Sequence, residues 1–336
     1  MPAPSLAYDV CALGNAIVDI VADVDEAFLR QQRIIKDTMI LVDGARITQL
    51  RKSLKAARVV CAGGAAGNTV AGLASFGGRA AFMGKIATDD VGHLFKADLQ
   101  KLGVHYATPP LAHATLATGL CLSFITPDAH RSMCTSLGAA IEFGLNDVHT
   151  DIVQAAQILY LEGYLLDRAH SRLALKLAAE SARAAKRKTA LALCDRFCVE
   201  RNRKEFVELV EGHTDILFAN EKELMALFQA PDLETALADA TSRVPLAVVT
   251  RSERGAVIAE PGGRFEAPAE PVGHAVDRTG AGDLYAAGFL FGLARQRDLK
   301  TCAHLGAIAA AEVIGHYGSR PEHSLTALAK QKGVAG

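Results

Sequence analysis

No run of 18 apolar residues occurs anywhere in the 336-residue chain, so no segment has the length that a membrane-crossing helix requires. Excess charge is equally scarce, with 36 basic residues against 37 acidic ones and a formal balance of -1. Bulk electrostatics therefore cannot recruit nucleic acid or an anionic membrane, and an anionic ligand must meet a local site. The seven cysteines, at positions 11, 61, 121, 134, 194, 198 and 302, include no C-x-x-C pair. Odd in number and set mostly in apolar runs, they read as buried reduced thiols. A zinc site built on Cys194 and Cys198 finds no further Cys or His at a suitable spacing. The first residues lack a basic stretch followed by an apolar run and a cleavage site, so the expected location is cytoplasmic.

Two common nucleotide motifs are also missing. A Walker A loop needs four residues between its glycines and then Lys-Ser/Thr, but five residues separate Gly78 from Gly84, and Lys85 is followed by Ile86. The dinucleotide fingerprint G-x-G-x-x-G fails at Ala62, which precedes Gly63-Gly64, and at Tyr285, which stands where a third glycine should follow Gly282. Any nucleotide is bound by another scheme.

What is present is an ordinary globular composition, 50% apolar and 22% charged, large enough for one big α/β domain or two smaller ones. Apolar strands recur along the chain at Tyr8 to Leu13, Ala80 to Gly84, Ile158 to Leu161, Thr189 to Leu193, Ile216 to Ala219 and Leu246 to Thr250. Helical periodicity separates them, as at Asp90 to Leu102 and Ala169 to Ala185. Continuous apolar strands alternating with helices predict a parallel sheet covered on both faces. Three segments, near 16–24, 39–43 and 116–125, are interrupted by polar residues and suit a small half-exposed sheet outside the main one. A helix is expected over Ile47 to Ala57. No repeat or linker divides the chain, which is treated as one domain over 1–336.

The densest pattern is Asp277-Arg278-Thr279-Gly280-Ala281-Gly282-Asp283, followed by a helix of small residues. A helix N-terminus offers unpaired N–H groups, and side chains this small let a phosphate approach the backbone. Asp283 falls in the first turn, either as a cap or as a carboxylate base beside a phosphoryl group. Gly63-Gly64-Ala65-Ala66-Gly67-Asn68 is a second glycine-rich turn entering a helix, open to close helix packing or to backbone contact with a polar ligand. Asp19 interrupts a strand and points to the face opposite Val18 and Ile20, so it is either solvated or aimed into a cleft. Asn220-x-x-Glu223 after a strand makes a good N-cap pair and equally an oxygen set for Mg²⁺. Arg131 by itself reads as a surface residue in a turn.

In this order the motifs resemble the ribokinase family of carbohydrate and nucleoside kinases, and most of all its adenosine kinase branch. Asp277-x-Thr279-Gly280-Ala281-Gly282-Asp283 is similar to that family's C-terminal motif, with Arg278 where Thr or Ser is usual. Gly14-Asn15-Ala16-Ile17-Val18-Asp19 resembles the opening segment of adenosine kinases, and Gly63 to Asn68, continued by Gly84, Asp89 and Gly92, the first family motif.

The resemblance implies a three-layer αβα ribokinase-like fold, with a mainly parallel central sheet and a small β lid inserted within 15–45 and 112–127. It implies transfer of the γ-phosphoryl group of ATP to the 5′-hydroxyl of adenosine, or to a sugar such as ribose or fructose in the alternative. Asp283 is then the base, Gly280, Ala281 and Gly282 the phosphate-stabilising loop, and Arg131 a cation near the transferred phosphate. Asn15, Asp19, Gly63, Gly64 and Asn68 would hold the sugar end of the acceptor, with Tyr164 and Phe197 as walls for its base. Asn220, Glu223, Thr250, Ser252, Gly255 and Thr279 would line the nucleotide side, with Mg²⁺ near Glu223. Ser252 replaces a common glycine. A monovalent cation such as K⁺ is a further candidate cofactor. The expected partners are small molecules, in a monomer or homodimer.

Overall fold

The computed structural model of the protein describes residues 6–112, 116–128 and 130–334. In chain order its strands are β1 (Tyr8–Leu13), β2 (Ile17–Asp23), β3 (Met39–Leu41), β4 (Val59–Gly63), β5 (Ala80–Met83), β6 (His105–Tyr106) and β7 (Gly119–Ile125). They continue with β8 (Arg131–Ser136), β9 (Ala156–Glu162), β10 (Lys188–Ala192), β11 (Ile216–Asn220), β12 (Leu246–Thr250), β13 (Ala256–Glu260) and β14 (Gly263–Ala267). Nine of these form one sheet in the order β14-β13-β12-β11-β10-β9-β1-β5-β6, parallel from β12 to β6 and closed at one edge by the antiparallel strands β13 and β14.

The apolar strands are continuous because both of their faces are buried. In β1, Val10 and Ala12 join the core under helices Ala65–Ser75, Ala281–Ala294 and Leu299–Val313, while Cys11 and Leu13 join the core under helices Ala169–Ala184 and Arg203–His213. Strand β9 divides in the same way, with Ile158 and Tyr160 on one side and Leu159 and Leu161 on the other. A side-chain period of two feeding two cores is the physical content of the three-layer architecture.

The remaining five strands make a separate sheet in the order β3-β8-β7-β2-β4. Strands β2, β3 and β7 come from the three polar-interrupted segments. Strands β4 and β8 lie beyond the 15–45 and 112–127 bounds expected for the lid, and residues 113–115 of the second segment lie outside the described residues, as do 1–5, 129 and 335–336. Neither added strand has a strong period: Val60 is 44% exposed, and Arg131-Ser132-Met133-Cys134-Thr135-Ser136 is largely polar. The hairpin of β13 and β14 was likewise absent from the sequence expectation. The helix expected over Ile47 to Ala57 runs instead over Gly44–Ser53, because the Asp43 carboxylate caps it by accepting the Arg46 N–H at 2.7 Å.

The order of the large sheet contains a switch point. Strand β1 has β5 on one side and β9 on the other, so the chain reverses its direction of travel across the sheet at β1. In open α/β sheets the space beyond the carboxyl ends of the strands at such a point receives the ligand. Asn15 follows β1 there, and Glu162, Asn220 and Thr250 end β9, β11 and β12.

Candidate active site

Helix Ala281–Ala294 starts after Gly280, whose φ of 77° is left-handed and places it against Ser319. A residue with a Cβ is strained in that region. Around Gly282 there is open space; Ala281 N donates to Arg278 O at 3.3 Å, while a helix start leaves further first-turn N–H groups without an intrahelical acceptor. Asp283 does not spend its carboxylate on capping. Its Oδ2 accepts from Asn68 Nδ2 at 2.9 Å, across 215 positions of sequence. Burial pushes the Asp283 carboxyl up to about 7; the Asn68 hydrogen bond opposes this, and the charges of Glu162, Asp19 and Glu223 add to it.

Asp19 stands on β2 of the lid and turns toward the large domain, where its Oδ2 accepts from Ser319 Oγ at 3.1 Å. Burial raises it to about 6, against the pull of Ser319 and the charges of Arg320 and Arg131. A Cβ on Gly63 would lie 2.2 Å from the Asp19 carboxylate and one on Gly64 2.3 Å from the Asn15 carbonyl. The paired glycines are therefore what lets the turn pack beneath the lid. Asn15, 5% exposed, donates from its backbone N–H and from Nδ2 to Glu162 Oε1 at 3.2 and 2.8 Å.

Several expected residues make contacts that the sequence did not predict. Arg131 is not in a turn but begins lid strand β8, and its Nη1 lies 2.5 Å from Asp277 Oδ1. Burial raises Asp277, yet the Arg131 charge and the hydrogen bonds from Thr279 and Gly318 outweigh it and hold the carboxyl below its usual range. Thr279 donates to Asp277 from both N and Oγ1, at 2.9 and 2.5 Å, so it braces the loop. Phe197 is 68% exposed and closes no wall in this conformation, whereas Tyr164 is partly buried beside Cys194 and Glu162. Asp89 caps helix Asp90–Lys101 through Gly92 N at 2.7 Å and holds Thr118 N at 2.8 Å. Arg278 is exposed, so its departure from the family pattern displaces no buried contact.

On the nucleotide side, Asn220 and Glu223 form a full capping box: Asn220 Oδ1 accepts Glu223 N at 2.9 Å, and Glu223 accepts Asn220 N and Nδ2 at 2.9 and 2.6 Å. Glu223 is 6% exposed and burial pushes it up to about 7. Among the described residues it has no ion-pair partner, so its oxygens suit a hard cation. Thr250 pairs with Asn220 in the sheet register. Ser252 is exposed with a φ of 54°, and Gly255 has a φ of 79° with Ala267 O at 2.0 Å from where a Cβ would sit. The usual glycine at 252 relieves a left-handed strain that serine bears at a cost of about 1 kcal/mol.

Sequence reasoning missed Glu162, Ser319 and Arg320. Glu162 is 1% exposed and also accepts Ala66 N at 2.9 Å; the signal was an acid directly after the apolar run Ile158 to Leu161. Arg320 ties lid to core through Nε to Ala62 O at 2.6 Å and Nη1 to Gly67 O at 3.0 Å. No local pattern marks it.

The pfkB family carbohydrate kinase model matches residues 38–325. An adenosine kinase from Sinorhizobium meliloti shares the fold at a TM-score of 0.90 with 45% identity, over 97% of this chain and 99% of that one. A probable sugar kinase from Rhizobium etli gives 0.90 and 41% over the same shares. Adenosine kinase of Saccharomyces cerevisiae is 29% identical over 315 residues, 88% of this chain and 91% of that protein. Among the described residues no helix is long and apolar enough to cross a membrane. The lengths of these matches place the chain: it belongs to the pfkB family of carbohydrate kinases and is a phosphotransferase of the ribokinase-like fold.

Proposed function

We propose that the protein transfers the γ-phosphoryl group of ATP to the 5′-hydroxyl of adenosine, giving AMP and ADP. The observation that carries this reading is the pair of carboxylates facing one crevice from opposite sides. Asp19 on the lid is a hydrogen-bond acceptor for two vicinal hydroxyls, and Asp283 on the core is an acceptor for the proton of a third. The adenosine kinase relative at 45% identity supports the choice of acceptor.

Phosphoryl transfer asks for positioning, charge neutralisation and a base. Asp283, with a carboxyl raised to about 7, is close to the working range in which general bases are effective. It takes the proton of the attacking hydroxyl as the new O–P bond forms and the bond to ADP breaks. The backbone N–H groups of the Gly280-Ala281-Gly282 loop hold the transferring oxygens, with Ala281 N exchanging Arg278 O for them. Arg131 supplies positive charge from the lid once a phosphate competes with Asp277 for it. Mg²⁺, which the family typically uses with ATP, would be held through Asn220 and Glu223. When bound it neutralises phosphate charge. Glu223→Gln should raise the Mg²⁺ concentration at half-maximal rate severalfold while the amide oxygen keeps the helix cap; an unchanged titration makes Glu223 a cap alone.

Sugar phosphorylation is the second reading, favoured by the probable sugar kinase relative at 41% identity. ADP release measured with adenosine, other nucleosides and free sugars separates the two. Adenosine should exceed ribose and fructose in kcat/KM by about 10² or more, since a site built for the whole nucleoside loses contacts with a fragment. A sugar that outruns adenosine replaces the reading.

A further inference from the structure

Between the two carboxylates stands a residue with one proton and two claimants. Ser319, 1% exposed, has its Oγ 3.1 Å from Asp19 Oδ2 and 3.0 Å from Asn68 Oδ1. Both partners are acceptors, and a hydroxyl carries a single hydrogen, so it serves one fully at a time. Asn68 in turn donates from Nδ2 to Asp283. An unbroken polar chain thus runs from lid to base: Asp19, Ser319, Asn68, Asp283.

The segment bearing Ser319 is fixed from both sides. Gly318 N donates to Asp277 Oδ2 at 3.2 Å, and Arg320 grips Ala62 and Gly67. Arg58, just before β4, stacks over the Tyr317 ring at 4.3 Å. Glu312 holds the far end by accepting Glu322 N and His323 N, both at 2.9 Å. A hydroxyl on so constrained a backbone responds by rotating, not by moving away.

We propose that Ser319 is a positioning residue that couples occupancy of Asp19 to the orientation of Asp283. In the free enzyme its proton serves Asp19, which is otherwise buried without a donor from substrate. When acceptor hydroxyls donate to Asp19, the Ser319 hydroxyl turns to Asn68 Oδ1. That bond fixes the amide with Nδ2 on Asp283, because the flipped amide would set its oxygen against a carboxylate. The base is therefore held in register when an acceptor is present. No covalent bond changes in this step. The proposal rests on the assignment of Asp19 and Asp283 made above.

Ser319→Ala tests it, with the acceptor that the wild-type enzyme phosphorylates best. Acceptor affinity measured by calorimetry without ATP should stay within about threefold, because the lost bond is one that the acceptor replaces. Turnover should fall about tenfold, the scale of one hydrogen bond in the reacting complex. The acidic limb of the kcat profile should move to higher pH, because the Asn68 bond holds the Asp283 carboxyl down. The carboxylates facing Asp283 are Asp19 from β2, Glu162 from β9 and Glu223 from helix Glu221–Phe228, and all three remain in the variant. Its other ionisable neighbours, Tyr160, Tyr164 and Cys194, are kept neutral by burial.

The decisive comparison is a double-mutant cycle. In an Asn68→Ala background, Ser319→Ala should change kcat by less than about twofold. Losses that multiply, or an acidic limb that stays in place in Ser319→Ala, overturn the coupling. Thermal denaturation checks folding of each variant, and Ser319→Cys, a weak donor in the same place, should give an intermediate rate. Failure of the base assignment is read separately, from wild-type turnover retained by Asp283→Asn.

Discussion

Asp283→Asn should lower turnover by about 10² or more, the scale of general-base loss, while leaving the fold intact. The substitution preserves size, and the carboxylate it removes caps nothing: it accepts from Asn68 Nδ2, 215 positions away in sequence. Steady-state kinetics with the preferred acceptor makes the measurement, and turnover equal to wild type removes Asp283 from the chemistry. A stability readout accompanies it. The Asp283 carboxyl lies at about 7, above its ordinary value of 3.8, so between those values the folded protein holds a proton that the unfolded chain has lost. Stability contributed by that proton is present at low pH and falls as pH rises through about 7. Asparagine carries no such dependence. Its melting temperature relative to wild type should therefore be higher at pH 8 than at pH 5, by the equivalent of roughly 1–3 kcal/mol.

The second large effect concerns acceptor choice. A carboxylate raised to about 6 by burial loses most when its hydrogen bonds are missing, since an unsatisfied buried charge keeps its full desolvation penalty. On the proposed reading Asp19 would take the 2′- and 3′-hydroxyls of adenosine, and 2′-deoxyadenosine would leave one of those bonds unmade. A hydrogen-bonding site rejects such an analogue by a far larger factor than an apolar pocket does, up to about 10⁴. Asp19→Ala should lower kcat/KM for adenosine and narrow the gap to 2′-deoxyadenosine to within about tenfold. Equal discrimination in both proteins would take Asp19 out of the site. The lid makes the experiment clean in one respect: Gly63 packs directly on this carboxylate, so alanine opens space and forces no clash.

Glu223 illustrates how a motif can serve structure and chemistry together. Its two oxygens close the capping box with Asn220, which is the local reason for an acid three residues after the strand end. Its burial and the lack of a paired cation among the described residues leave a charge that a metal bound nearby would satisfy. The same economy appears at Asp277, which braces Thr279 and Gly318 and also retains Arg131 on the lid.

The central sheet was legible because its strands are buried on both faces: Val10-Cys11-Ala12-Leu13 and Ile158-Leu159-Tyr160-Leu161 announce themselves by apolarity alone. The lid was partly legible, since β2, β3 and β7 carry interrupted apolar patterns, but β4 is half exposed and β8 is buried largely through polar side chains such as Ser132, Thr135 and Ser136, so neither shows an apolar period. The glycine loop before Asp283 and the turn at Gly63-Gly64 were visible from residue type and spacing, because Gly280 and Gly64 take left-handed backbone and Gly63 packs on the Asp19 carboxylate. The network that joins them was not visible. Asn68 meets Asp283 across 215 positions, Ser319 meets Asp19 across 300, and Glu162 meets Asn15 across 147. Local sequence determined the elements and the anion-ready loop through short-range sterics and periodicity. Only the tertiary structure decided which carboxylates share a crevice, which are raised by burial, and which arginine is already paired, because charge and desolvation depend on neighbours that the chain brings together from its two ends.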